Sequence, residues 1–202
     1  MMGDSQPGAV RGAMISGMKN ALTDIVREID VCLGKVSQES IEQALLQITG
    51  ARRVFLAGRG RSALGIHGFA MRLMHLGIDA HLVGETTTPP ISAGDCLIIG
   101  SGSGRTANLL AIAAKTKEIG AKIVLFTIDP NSPIAQSANS VVVIPASSPK
   151  AQVSNPDDQS IQPMGTLFEQ CLFLLLDALV LVLMQKYNVT AAEMFTRHAN
   201  LE

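Results

Sequence analysis

Three hydroxyl side chains fall within six residues at Ser101-Gly102-Ser103-Gly104-Arg105-Thr106, directly after the apolar run Cys96-Leu97-Ile98-Ile99-Gly100. Glycines let a backbone come close to a ligand, hydroxyls donate hydrogen bonds, and the amides that open a helix attract an anion. Phosphate suits that set of donors. Charge-assisted hydrogen bonds of about 1.5–3 kcal/mol each would supply most of the affinity for a small phosphorylated ligand. The same residues also fit a plain strand-to-helix turn with Thr106 as its N-cap, but the cluster of hydroxyls favours the anion.

A second small-residue turn, Gly58-Arg59-Gly60-Arg61-Ser62, follows the run Val54-Phe55-Leu56-Ala57. With Ala63 it matches the G-x-G-x-x-A fingerprint of dinucleotide sites, and Glu85 stands at the distance of a ribose-binding acid. That reading leaves the hydroxyl-rich turn without a purpose. A nucleotide P-loop fails as well, because Arg105 occupies the place where lysine is required. Arg59 and Arg61 are candidate donors to phosphate or sugar, or solvated positions of a tight loop. Ser62 is expected to cap the helix that follows. Glu85 and Thr87, in the turn Val83-Gly84-Glu85-Thr86-Thr87-Thr88-Pro89-Pro90, are candidates for sugar hydroxyls or members of an ordinary polar loop.

The elements that must position these turns read as an α/β protein. Apolar runs at Val54–Ala57, His81–Val83, Cys96–Ile99, Ile123–Phe126 and Val141–Ile144 alternate with helical stretches at Ser62–Leu76 and Thr106–Ile119 and a short one near Ser132–Ala138. Strands apolar on both faces and separated by helices predict a doubly wound, five-stranded parallel sheet of flavodoxin-like type, over about 52–145. Both glycine turns then lie at the carboxyl edge of the sheet, where such folds bind ligands. Two helices, Gly12–Leu33 and Ser37–Ile48, precede the sheet within about 12–49, and Gly34 and Gly50 suit left-handed C-caps. The polar stretch Ala146–Pro163 reads as a loop able to act as a lid, and the C-terminal helices follow over about 163–199. The chain is expected to form a single domain, 1–202.

Composition narrows the partners. With 47% hydrophobic and 16% charged residues, the 202-residue chain is suited to one large core and to further burial against copies of itself. A formal net charge of −1, with no basic cluster, argues against nucleic acid and against anionic membranes. The apolar stretch Cys171–Met184 is interrupted by Asp177 and is shorter than a bilayer span of roughly 20 residues, so it reads as a buried helix. Cys32, Cys96 and Cys171 form no disulfide or zinc pattern and are expected to be reduced core residues. The N-terminus lacks secretory features, which points to the cytoplasm.

The pattern Ser-x-Ser-Gly-x-Thr at Ser101, Ser103, Gly104 and Thr106 resembles the phosphate turn of the sugar isomerase (SIS) domain family. Together with GRGRSALGIHGFAMRLMHLG, VGETTTPPI, PMGTLFEQ and the terminal RHANLE, the chain closely resembles the 6-phospho-3-hexuloisomerase branch of that family over nearly its whole length. The resemblance implies a homo-oligomer, usually a tetramer, that interconverts D-arabino-hex-3-ulose 6-phosphate and fructose 6-phosphate in formaldehyde fixation or pentose supply. It implies no metal and no redox cofactor. Arg105 departs from many SIS turns, which have Glu there, and an added positive charge should favour phosphate.

Moving a carbonyl from C3 to C2 requires a base that takes the C2 proton, donors that hold the enediolate, and return of a proton at C3. By resemblance the base is Glu169, in PMGTLFEQ. Thr166-Leu167-Phe168-Glu169 also spells a T-x-x-E capping box, in which the carboxylate would bond back to the helix start. Both readings stand at this point. His67, His75 and His81 fit structural roles better than chemistry. His198, near the end of a terminal helix Ala191–Ala199, is implied by resemblance to reach a neighbouring subunit's pocket, where it would help open the sugar ring or shuttle a proton. A sugar-phosphate sensor and an aldose–ketose isomerase acting on another phosphosugar are the alternatives, and 202 residues leave no room for a DNA-binding module.

Overall fold

A computed structural model describes residues 7–149 and 159–201. Five short apolar strands form its centre: β1 (Val54–Gly58), β2 (Ala80–Leu82), β3 (Cys96–Gly100), β4 (Lys122–Thr127) and β5 (Ser140–Val143). They pair in the order β2-β1-β3-β4-β5, and every pairing is parallel. β1 and β3 are buried along their whole length, as strands covered on both faces must be. Because successive side chains alternate between faces, Val54 and Leu56 enter one core while Phe55 and Ala57 enter the other.

The two cores differ in size. The larger is closed by α1 (Pro7–Leu33), α2 (Gln38–Gly50), α3 (Ser62–His75) and α5 (Thr166–Tyr187). The smaller is closed by α4 (Ala107–Ile119) and a 3₁₀ turn at Ala135–Ser137, with α6 (Ala191–Phe195) ending the chain on the larger side. The crossover through α3 leads from β1 out to β2, and the crossover through α4 leads from β3 out to β4. The strand order therefore reverses between β1 and β3. In that pair Gly58 lies opposite Gly100, so the two glycine turns start side by side at the switch point where open α/β sheets bind ligands.

Several local expectations are corrected. Neither Gly34 nor Gly50 is left-handed: Gly50 belongs to α2, which stops at an extended Ala51, and the left-handed C-caps are Gly120 after α4 and Asn188 after α5. Ser62 is the first residue of α3 and not its cap; the cap position is Arg61, which makes no capping side-chain bond. The reasoning from length about Cys171–Met184 also gives way, because α5 runs for 22 residues and is long and apolar enough to cross a bilayer. What marks it as a core helix is packing: Phe168, Leu172, Leu176 and Leu183 are buried in the larger core, where α5 packs against α3 and α1. The middle of the supposed lid, 150–158, lies outside the described residues.

The amino edge of the sheet is held by an ion cluster around one buried carboxylate. Asp95, which is 1% exposed, pairs with Arg53 at 2.9 Å and Arg52 at 3.3 Å. It also accepts from the Ser92 amide and hydroxyl at 2.8 and 3.0 Å. Burial opposes ionisation of this carboxyl, but the bonds from Arg53, Ser92 and Arg52 outweigh it and hold its pKa well below the ordinary value. Asp95→Asn should cost about 3 kcal/mol, read as a lower urea midpoint at pH 7. A depressed folded-state pKa confers stability that is present above the unfolded value, about pH 4, and is lost as pH falls toward the folded value. The gap between wild type and Asp95→Asn should therefore narrow as the medium is acidified below pH 4.

Candidate active site

The strand β3 delivers Gly100 to the carboxyl edge, and the chain turns there into α4. Ser101 donates its amide to the Phe126 carbonyl and Gly104 donates its amide back to the Ser101 carbonyl. These bonds curl the turn. Gly104 takes φ +57°, and a side chain there would collide with the Ser132 hydroxyl, so glycine is required on two counts. Thr106 occupies the N-cap of α4 without making a capping side-chain bond. The Ser103 hydroxyl accepts from the Arg105 amide at 3.3 Å, whereas the Ser101 and Thr106 hydroxyls take no partner among the described residues. Nor do the amides of Gly102 and Ser103 find an acceptor among them. These donors converge with the positive end of α4, an arrangement made for an anion.

The neighbouring turn supplies cations. Arg59 donates to Asn108 at 2.7 Å and to the Gly58 carbonyl at 3.2 Å, which ties this turn to the start of α4. Arg61 donates to Oε2 of Glu169 at 2.8 Å. Both turns, with the start of α5, the segment 161–165 and one face of α1, line a cleft of about 970 Å³. Its walls include Arg59, Gly60, Arg61, Ser62, Ser101, Gly102, Ser103, Thr106 and Glu169. Gly58 and Gly104 stand behind this wall. At Gly58 an added Cβ would approach the Ala63 backbone to 2.9 Å, so the glycine serves strand-to-helix packing.

Glu169 forms no capping box. Gly165 is the N-cap of α5 and Thr166 is its first residue, so Glu169 falls one position too far along to bond back to the cap. The Thr166 hydroxyl turns to the Pro163 carbonyl at 2.7 Å, and the Glu169 carboxylate is left to face Arg61 across the cleft. Among the described residues, a capping box stands at the start of α6, between Thr190 and Glu193. Arg105 does not face the cleft; it pairs with Asp129 at 2.8 Å and braces the outer side of the turn.

Three candidates lie elsewhere. Glu85 and Thr87 line a separate hollow of about 290 Å³ beside His67 and His81. His198 stacks on His75 and Phe195, with ring centroids 5.5 and 5.7 Å away, and Arg197 donates to the His75 carbonyl at 2.9 Å. His75 ends α3, whose first residue borders the cleft; 14 residues at 1.5 Å each place His198 about 20 Å from its own chain's cleft.

Sequence reasoning passed over three residues. Gln170 lines the cleft with its Oε1 buried and without a hydrogen-bond partner among the described residues. Gln162 also lines it and is 8% exposed. Glu28, from α1, accepts hydrogen bonds from the Ser160 hydroxyl, the Ile161 amide and Gln162 Nε2 at 2.8, 2.8 and 3.0 Å. Burial raises the Glu28 pKa, but these bonds, with Arg27 nearby, bring it below the ordinary value. An uncharged amide gives no periodic signal, and Glu28 lies more than 130 residues away from its partners. Only the presence of Gln170 inside PMGTLFEQ offered a hint.

A flavodoxin-like sheet with a glycine- and hydroxyl-rich turn at its switch point defines a class, and the SIS domain pattern matches residues 47–171. The chain belongs to the SIS domain family. Within that family it is 45% identical to a Bacillus subtilis protein named 3-hexulose-6-phosphate isomerase, over 90% of this chain and 97% of that one. A protein of the same name from Mycobacterium gastri is 43% identical over 91% of this chain and 90% of its own. A crystal structure from Methanococcus jannaschii, for which the function of 3-hexulose-6-phosphate isomerase was inferred, superposes with a TM-score of 0.79 at 31% identity, covering 91% of this chain and 99% of that one.

Proposed function

We propose that this chain is a 3-hexulose-6-phosphate isomerase, which interconverts D-arabino-hex-3-ulose 6-phosphate and fructose 6-phosphate through a cis-enediolate. The observation that supports this most is the presence, in one cleft, of an anion turn and a carboxylate, Glu169, that helix capping does not occupy. Ser101, Ser103 and Thr106 bind the 6-phosphate, with the amides of the turn and the positive end of α4. Arg59 and Arg61 add positive charge at the same edge. Glu169 takes the C2 proton and the electrons form the 2,3-enediolate with its negative charge on O3; a proton then passes from the C2 hydroxyl to O3, and Glu169 returns its proton at C3 as the carbonyl re-forms at C2. Arg61, bonded to Glu169, steers the base and stands beside the developing negative charge.

The surface of the chain bears on assembly as well. The outward side of α5 shows Phe173, Leu174, Leu181 and Val182 to solvent, and α3 adds Leu64, Met71 and Met74. An apolar surface of this extent supports a homo-oligomer, in which His198 of one copy reaches the cleft of another. Multi-angle light scattering should report a tetramer, a multiple of the 21.3 kDa chain. His198→Ala should lower turnover about 10-fold if ring opening or proton shuttling depends on it; unchanged turnover would remove it from the mechanism. By the same resemblance the reaction belongs to formaldehyde fixation or pentose supply in the cytoplasm.

The direct test supplies purified protein with D-arabino-hex-3-ulose 6-phosphate and follows fructose 6-phosphate through coupling enzymes. Saturable turnover abolished by Glu169→Gln supports the proposal. Binding of the sugar phosphate without turnover would make the chain a sensor.

A further inference from the structure

We infer that Gln162 offers its carbonyl oxygen, Oε1, to a hydroxyl of the bound sugar, and that Glu28 is the positioning residue that fixes the amide in this orientation. The inference rests on the proposed reaction in the same cleft and adds to it a residue that reads the sugar chain independently of the phosphate.

Buried amides satisfy their polar atoms, and Gln162 is buried. Its Nε2 donates to Glu28 Oε2 at 3.0 Å, which a carboxylate acceptor demands of the NH₂ end. The carbonyl end therefore faces away from Glu28. It takes no hydrogen bond from the described residues, while the side chain lines the cleft. A group that can only accept selects a ligand that can donate, and a sugar hydroxyl does.

The positioning is built from α1. Ala21, Ile25 and Glu28 follow one another at helical spacing and share one face; the first two line the cleft and the third anchors its wall. Besides Gln162, the Glu28 carboxylate takes the Ser160 hydroxyl and the Ile161 amide, both at 2.8 Å. The Ser160 hydroxyl in turn accepts the Gln162 amide at 3.0 Å, and the Ser160 amide donates to the Ser147 hydroxyl at 2.7 Å. The backbone of 160–162 is thus pinned from two sides. The Glu28 pKa below its ordinary value agrees with a carboxylate held charged by these donors. Glu28 lies on α1, outside the matched SIS segment 47–171.

The test compares wild type with Gln162→Leu, Glu28→Gln and the double variant in two measurements. The first is kcat and KM for D-arabino-hex-3-ulose 6-phosphate. The second is affinity for fructose 6-phosphate and for inorganic phosphate by calorimetry. Each single variant should raise KM and weaken fructose 6-phosphate binding about 10-fold, with kcat within about threefold and phosphate binding unchanged, as expected when a hydroxyl loses its acceptor. Because Glu28 acts through Gln162, the double variant should be no worse than Gln162→Leu. The inference is overturned by sugar-phosphate affinities within twofold of wild type, by losses that multiply in the double variant, or by phosphate binding that weakens in parallel. A wild type that binds fructose 6-phosphate but does not isomerise would sink the proposed reaction, while the calorimetric comparison would still decide the role of Gln162.

Discussion

Glu169→Gln is expected to lower kcat about 10³-fold and leave KM within a few-fold of wild type, because general-base removal costs about 10²–10⁴ in rate and leaves phosphate recognition in place. The substitution keeps the shape of the side chain and its ability to accept from Arg61, which now donates to Oε2 at 2.8 Å. What it removes is the capacity to take a proton from carbon. Glu169 is free for this work because α5 is capped by Gly165 and the Thr166 hydroxyl is spent on Pro163. Had the T-x-x-E box formed, the carboxylate would have been engaged by its own helix, and the same substitution would have cost about 1 kcal/mol of stability with little loss of rate. Kinetics together with a thermal melt therefore separate the two roles: a variant with full turnover and a lowered melting temperature would return Glu169 to structure.

The second large effect is expected at the anion turn. Replacing Ser101 and Thr106 together by alanine should raise KM by about 100-fold or more, since two charge-assisted hydrogen bonds at about 1.5–3 kcal/mol each are lost. At saturating substrate kcat should change little, because the phosphate is held alike in ground and transition states. Inorganic phosphate should weaken as a competitive inhibitor by a similar factor. The turn itself should persist, since its shape depends on backbone bonds from Ser101 to Phe126 and from Gly104 to Ser101, and on Gly104 at positive φ. A double variant that keeps its affinity for phosphate would show that the amides and the end of α4 suffice.

These predictions rest on features of unequal visibility in the sequence. The sheet was legible because its central strands, Val54–Ala57 and Cys96–Ile99, are unbroken apolar runs bounded by turn residues and buried on both faces. The glycine- and hydroxyl-rich turn was legible because its residues are contiguous. Caps were less so: Gly34 and Gly50 have the residue type of a left-handed cap, yet whether glycine uses that freedom depends on where the chain must go next. Ser62 failed for a similar reason, since the tight turn through Gly60, itself at positive φ, places Arg61 at the cap.

Contacts between distant segments left no trace. The pairing of Arg61 with Glu169, of Arg105 with Asp129 and of Glu28 with 160–162 arises only when the sheet brings loops together. Arg105 illustrates the difference: by type it promised charge for phosphate, and by position it is neutralised outside the cleft. His198 is the opposite case, a residue set at the far end of α3 whose proposed role requires a second copy of the chain.

The central claim is that the proton moved lies between C2 and C3 of a hexulose phosphate. Incubating the protein with fructose 6-phosphate in deuterated water, and following the sugar by NMR, tests this most directly. The account predicts deuterium at C3, at a rate that Glu169→Gln lowers with kcat. Deuterium at C1 alone would place the enediol on the other side of the carbonyl and identify an aldose–ketose isomerase. No exchange at either carbon would contradict the account and leave a protein that binds the sugar without turning it over.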